Sequence, residues 1–178
     1  MSGLDHLWAG WRADFVSGAG DEGEASANGA DGGGGACVFC GILASGRPDE
    51  ELHVLWRHSN GRVVAILNAY PYTSGHLMVV PVRHVADLEG LGPAEGRDLW
   101  EGVRMAVVAL KAAYAPDGVN IGANIGRAAG AGVPGHLHVH VVARWGGDTN
   151  FMTTVADARV LPEPLSMSAA KLRKAWPR

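Results

Sequence analysis

The chain of 178 residues is long enough for one domain with a hydrophobic core, and its 47% hydrophobic content fits a globular protein. A formal charge of -3 gives no general basic field, which excludes bulk attraction to a nucleic-acid polymer or an anionic membrane and makes any phosphate handling local. No apolar run approaches the roughly 18 residues of a membrane span, and the opening MSGLDHLWAGWR lacks the apolar core of a signal peptide, so a cytoplasmic protein is expected.

Residues 1–16 read as an N-terminal arm. Leu4, Leu7, Trp8, Trp11 and Phe15 fall at roughly helical spacing on one apolar face that docks either on its own domain or on a partner subunit. Residues 17–36 hold eight glycines and five alanines and no large apolar side chain, the composition of a flexible linker. The compact domain is expected over 37–152, with 153–178 as a C-terminal extension. Its first residues, Cys37 and Cys40, are too few and too close to staple a fold; the C-x-x-C spacing suggests metal or redox work.

Residues 54–56 and 62–67 read as strands around the turn His58-Ser59-Asn60-Gly61, and 76–81 as a third strand after the loop from Asn68 to Gly75. Gly92-Pro93 opens a helix that keeps Leu99, Val103, Ala106, Val107, Leu110 and Tyr114 on one face and ends at Ala115-Pro116-Asp117-Gly118. Residues 119–124 and 137–143 supply two more strands, separated by the glycine-rich IGRAAGAGVPG. The expected fold is α+β, an antiparallel five-stranded sheet with one long helix.

The stretch GHLHVHVVARW alternates His136, His138 and His140 with Leu137, Val139 and Val141. On a strand the three imidazoles share one face, with neighbours about 7 Å apart and the outer pair about 13 Å apart. One metal ion cannot easily take all three. The pattern fits a central histidine with supporting groups on either side, one end being free for another task; exposed histidines on a solvated face and a simple metal cluster are the plainer readings. An imidazole can attack phosphorus as a nucleophile, and donors from a glycine-rich loop and a second imidazole can hold the phosphate oxygens.

HLHVHVV resembles the motif of the histidine-triad nucleotide hydrolases and transferases. CVFCGILAS, VVAILNAYPYTSGHLMVVPVRHVADL, NIGRAAGAG and RWGGDTNFM follow in that family's order, so the likeness covers residues 37 to about 152. LWAGWR, WGGDTNFM and VLPEPL look most like the bacterial branch containing diadenosine tetraphosphate phosphorylases. The resemblance implies the family's half-barrel sheet and a homodimer, with the long helix or its neighbouring strand at the interface. It implies His138 as nucleophile, with His140 on the phosphate beside it. Asn68 would hold the ribose, and Asn124 with Gly130, Ala131 and Gly132 would form the phosphate loop. His76 would stand near the substrate. Many members have Gln-Ser where this chain has Ala131-Gly132, so its loop backbone must do more. The implied substrate is a dinucleoside polyphosphate, cleaved at its α-phosphorus by hydrolysis or phosphorolysis. A phosphoramidate nucleotide is the alternative, as is a nucleotide-binding regulatory module with little turnover. Matching positions in zinc-bearing members make Cys37, Cys40, His84 and His136 the ligands of a structural zinc ion.

Overall fold

The computed structural model describes residues 37–148 and 163–177; the expectations for the arm, the linker and the Asn150-Phe151-Met152 segment lie outside them. Helix α1 (Val38–Ala44) is followed by β1 (Val54–Arg57), β2 (Val63–Leu67), β3 (Leu77–Pro81), the long α2 (Pro93–Tyr114), β4 (Gly118–Gly122), β5 (Val139–Arg144) and α3 (Leu165–Ala175). The strands form one antiparallel sheet in the order β1-β2-β3-β5-β4. The fold is α+β, with two further helices beyond the long one expected from the sequence.

Every residue of β2 and β3 is buried, which explains their near-continuous Val, Ile, Leu and Met content: side chains on both faces of the sheet have something to cover. On one face Leu55, Val63, Ala65, Leu67, Leu77, Val79, Leu137, Val139, Val141 and Ala143 pack under the buried stripe of α2, with Ala169 and Leu172 of α3 beside it. On the other face Val54, Val64, Ile66, Met78 and Val80 meet Cys37 and Phe39 at α1. His140 is paired across β3 with Met78, so it belongs to this second face.

Helix α2 starts where expected, with Pro93 at its first turn and the Glu95 carboxylate accepting the Gly92 N–H at 2.9 Å. The same carboxylate takes Arg83 at 2.8 Å; that guanidinium and the Gly92 N–H hold its pKa down to about 2. Arg83 thereby fixes the segment that carries His84. Gly102 lets the helix sit close on the sheet, since a Cβ there would lie 2.9 Å from Val79 Cγ1.

Helix α3 has no clear signature in the sequence. It is tied down at both ends: Glu163 accepts hydrogen bonds from Tyr114, Ser168 and Lys171, while Arg173 donates to the Val54 and Asp49 carbonyls and Trp176 stacks on Trp56 at 5.6 Å. Among the described residues no helix is long and apolar enough to cross a membrane.

Candidate functional site

The strand expected to begin at Leu137 begins at Val139 instead. Leu137 donates its N–H to Val85 O at 2.7 Å rather than to a neighbouring strand, so His136 and His138 stand ahead of the ladder on a segment held by the loop after β3. The alternation survives this shift: Leu137, Val139 and Val141 enter the core under α2, and the histidines face the other way. They do not form one open row. Phe39 of α1 inserts its ring between His136 and His138, with 5.3 Å to each ring centroid, and divides the face into two groups.

The first group holds His138, His140, His76 and Asn68. His138 is 5% exposed, and its Nδ1 lies 2.7 Å from His136 O. A carbonyl only accepts, so Nδ1 carries the proton and the lone pair is on Nε2. Burial lowers the His138 pKa, which keeps that lone pair unprotonated at neutral pH. The His140 ring stands edge-on to it at 5.0 Å.

A second deduction fixes His140. The Tyr72 N–H donates to His76 Nδ1 at 3.0 Å, so a neutral His76 has its proton on Nε2, 3.0 Å from His140 Nδ1. His76 therefore donates to His140, and the His140 proton sits on Nε2. Burial, and then the neighbouring His138, push the His140 pKa down to about 4, so it is a neutral donor at physiological pH. His76 itself is fully buried. Asn68, directly after β2, accepts the Tyr70 N–H at 2.9 Å and places its amide nitrogen 3.4 Å from the His76 ring.

In the glycine-rich loop Asn124 Nδ2 donates to Gly130 O at 3.2 Å and closes the turn from within. The N–H groups of Gly130 and Ala131 bond to Arg127 O and Gly126 O, so two of the three backbone donors expected to face a phosphate serve the loop itself. Around Gly132 nothing lies within 4 Å of where a Cβ would be. The loop ends on the histidine face, where Val133 packs with the Phe39 cluster and accepts the His136 N–H at 3.3 Å.

The second group gathers Cys37, Cys40, His84 and His136, whose donor atoms all lie within 4.8 Å of one another. His136 Nδ1 is 3.2 Å from Cys37 Sγ and 3.6 Å from Cys40 Sγ, and His84 Nδ1 is 3.4 Å from Cys40 Sγ. Zn–S of about 2.3 Å and Zn–N of about 2.0–2.1 Å put the corners of a tetrahedron about 3.5 Å apart, so the spacing fits. The tautomer fits too. His136 Nε2 donates to Pro81 O at 2.8 Å, which turns a bare Nδ1 lone pair toward both sulfurs. The Nδ1 atoms of His136 and His84 both face the sulfurs, and a cation between them would engage all four donors at once.

Sequence reasoning missed Phe39 and Tyr72. Phe39 is the aromatic inside C-V-F-C, and Tyr72 belongs to the Y-P-Y of the loop after Asn68, which as a sequence reads only as connection.

An antiparallel sheet carries one long helix on one face and the histidines, packed with α1, on the other, and comparison with known proteins places this arrangement in a family. The HIT domain model matches residues 52–147, and the chain belongs to that family. It is 44% identical over 131 residues to AP-4-A phosphorylase of Mycobacterium tuberculosis, a match covering 73% of this chain and 66%, just under two thirds, of that relative's length. An uncharacterized HIT-like protein of Saccharolobus solfataricus is 38% identical over 116 residues, 65% of this chain and 79% of its own. Among solved structures, a Zn-bound histidine triad family protein from Mycobacterium smegmatis superposes with a TM-score of 0.63 at 30% identity, covering 79% of this chain and 92% of that one.

Proposed function

We propose that the protein is an enzyme that cleaves a dinucleoside polyphosphate at its α-phosphorus through a nucleotidyl-histidine intermediate. The observation that carries this reading is the tautomer of His138: its Nδ1–H is committed to His136 O and its Nε2 lone pair is left for attack. Nε2 bonds to the α-phosphorus, the bond to the bridging oxygen breaks, and the polyphosphate half leaves with the electron pair. The imidazole then carries a positive charge, which the carbonyl at Nδ1 stabilises. His140 donates from Nε2 to the phosphate oxygens on which charge accumulates. His76 holds that proton in place. Asn68 takes the ribose hydroxyls, and Asn124 with the Gly130, Ala131 and Gly132 backbone surrounds the phosphates after the loop adjusts to them.

Water or phosphate then attacks the same phosphorus and releases Nε2. The likeness to AP-4-A phosphorylase supports phosphate as acceptor. Product analysis with diadenosine tetraphosphate tests the reading. ATP is expected as the first product, with ADP when inorganic phosphate is present. AMP irrespective of phosphate would move the acceptor to water; the absence of ATP would overturn attack at the α-phosphorus.

Cys37, Cys40, His84 and His136 are the residues that would hold a zinc ion, which supplies a structural tie between α1 and the segment carrying His138. The Zn-bound relative and the donor geometry support this assignment.

A homodimer is part of the same proposal. Among the described residues β4 lies at the edge of the sheet, and it exposes Ile121, while α2 exposes Trp100 and Val108. Exposed apolar side chains along an edge strand favour pairing with a second copy. Light scattering of the full chain is expected to give twice 18.6 kDa, and Ile121→Asp is expected to shift it toward the monomer. A monomeric parent removes the dimer from the proposal.

A further inference from the structure

Cys37 and Cys40 have a chemistry that holding a cation does not exhaust. They are the two cysteines of the sequence, so within the chain each has the other as its one possible thiol partner. Cys37 directly precedes α1 and Cys40 lies in its first turn, which the Gly41 N–H closes by donating to Cys37 O at 2.8 Å. The two side chains hydrogen-bond each other across that turn, so the sulfurs start in contact. The four donors of the cluster are unequally covered: Cys37 and His136 are 7% and 1% exposed, whereas Cys40 is half-buried and His84 is exposed. A small oxidant arriving from solvent therefore meets Cys40 first and finds Cys37 behind it. The loop between the two cysteines also carries Phe39, the ring inserted between His136 and His138.

We propose that Cys37 and Cys40 form a site of reversible oxidation, at which hydrogen peroxide converts the pair to a disulfide and the cation is released. The release rests on the zinc assignment above, whereas the disulfide rests on the sulfur geometry. Cys40 Sγ, a thiolate when it serves as a ligand, attacks one oxygen of the peroxide. The O–O bond breaks, hydroxide leaves and takes a solvent proton to become water, and Cys40 becomes a sulfenic acid. Cys37 Sγ then attacks that sulfur: the S–S bond forms, the S–O bond breaks, and a second hydroxide leaves and takes a second solvent proton. Two electrons have passed from the sulfurs to the peroxide. A disulfide offers no thiolate, so two imidazoles remain of the four donors, too few for a closed tetrahedral site. The exchange also loosens the fold. A cation ties α1 to the segments of His84 and His136, while a disulfide between residues three apart closes a loop too short to restrain the unfolded chain much. Oxidation thus frees the segment whose carbonyl orients His138, and a dithiol reductant supplied with zinc restores it.

Treatment of the pure full-length protein with hydrogen peroxide, after its zinc content has been measured, tests this. Zinc freed to a colorimetric indicator, the mass of tryptic peptide 13–57 after alkylation of the remaining thiols, and the melting temperature are followed together. Peptide 13–57 carries both cysteines and no methionine, so methionine oxidation does not enter its mass. Both thiols and the zinc are expected to be lost in step, leaving a peptide two hydrogens lighter and a melting temperature lower by about 5 °C or more. Dithiothreitol with zinc should reverse all three changes. Thiols that still alkylate fully, oxygen added to the peptide in place of a disulfide, chains cross-linked on a non-reducing gel, or changes that the reductant does not reverse overturn the oxidation site. A disulfide formed with zinc still bound overturns the release. The two readings fail separately: zinc-bearing protein that keeps both thiols loses the oxidation site and retains the zinc assignment, whereas protein without zinc at the outset that forms the reversible disulfide retains the oxidation site and loses the zinc assignment.

Discussion

His138→Asn is expected to lower kcat for diadenosine tetraphosphate by at least about a thousandfold, about 4 kcal/mol in the barrier, while nucleotide affinity changes far less. The expectation follows from a division of labour. On the proposed reading binding draws on Asn68, the glycine-rich loop and His140, so no single contact dominates it. Bond formation, on that reading, draws on one atom, the Nε2 lone pair that the hydrogen bond from Nδ1 to His136 O leaves uncommitted. Asparagine retains a polar group in the pocket but offers no lone pair of comparable nucleophilicity. Burst kinetics and direct titration of the same preparation separate the two quantities. A variant that keeps more than about a tenth of the parental kcat, a loss below roughly 1.4 kcal/mol, would falsify the assignment of His138 as nucleophile.

The periodicities that announce this fold are those of buried elements. Strands β2 and β3 and helix α2 lie within a residue or so of their expected limits because their apolar residues have no alternative to the core. Helix α3 was not legible because its pattern, Leu165, Ala169 and Leu172, is short and gains stability from distant partners such as Tyr114 and Val54 rather than from local sequence. The late start of β5 has the same kind of cause: the Val85 carbonyl captures the Leu137 N–H, and Val85 is remote in sequence.

The candidate site divides likewise. The alternating histidines, the C-x-x-C pair, Asn68 and His76 could be picked out as residues, but their tautomers could not, since each depends on a carbonyl or N–H brought in by folding. Nor could the insertion of Phe39 between His136 and His138 be anticipated, because an extended strand places nothing between residues two apart. The glycine-rich loop was legible as flexible backbone. What composition did not reveal is that the Gly130 and Ala131 N–H groups close the loop on itself.

Cys40→Ser is expected to lower metal content from one zinc per chain to well below one and to lower the melting temperature by about 5 °C or more. For a domain of this size 1 kcal/mol corresponds to roughly 2–4 °C, and loss of a structural zinc ligand costs several times that amount before any compensation by water. The four donors connect distant parts of the chain: Cys37 and Cys40 belong to the start of the domain, His84 to the segment that Arg83 ties to α2, and His136 to the approach to His138. Without a cation, burial and then the adjacent Cys37 raise the Cys40 pKa, which keeps that thiol protonated between the His84 and His136 rings. A divalent cation would displace that proton and turn the contacts into coordination. The loss should reach the reaction too, because the carbonyl that orients the His138 ring is that of His136 itself. The two effects separate by chelation: a strong chelator should depress the melting temperature of the parent and leave that of Cys40→Ser nearly unmoved. Pure parent protein that carries no zinc and whose melting temperature ignores the chelator would instead identify the cluster as a set of packed thiols and imidazoles held together by hydrogen bonds alone.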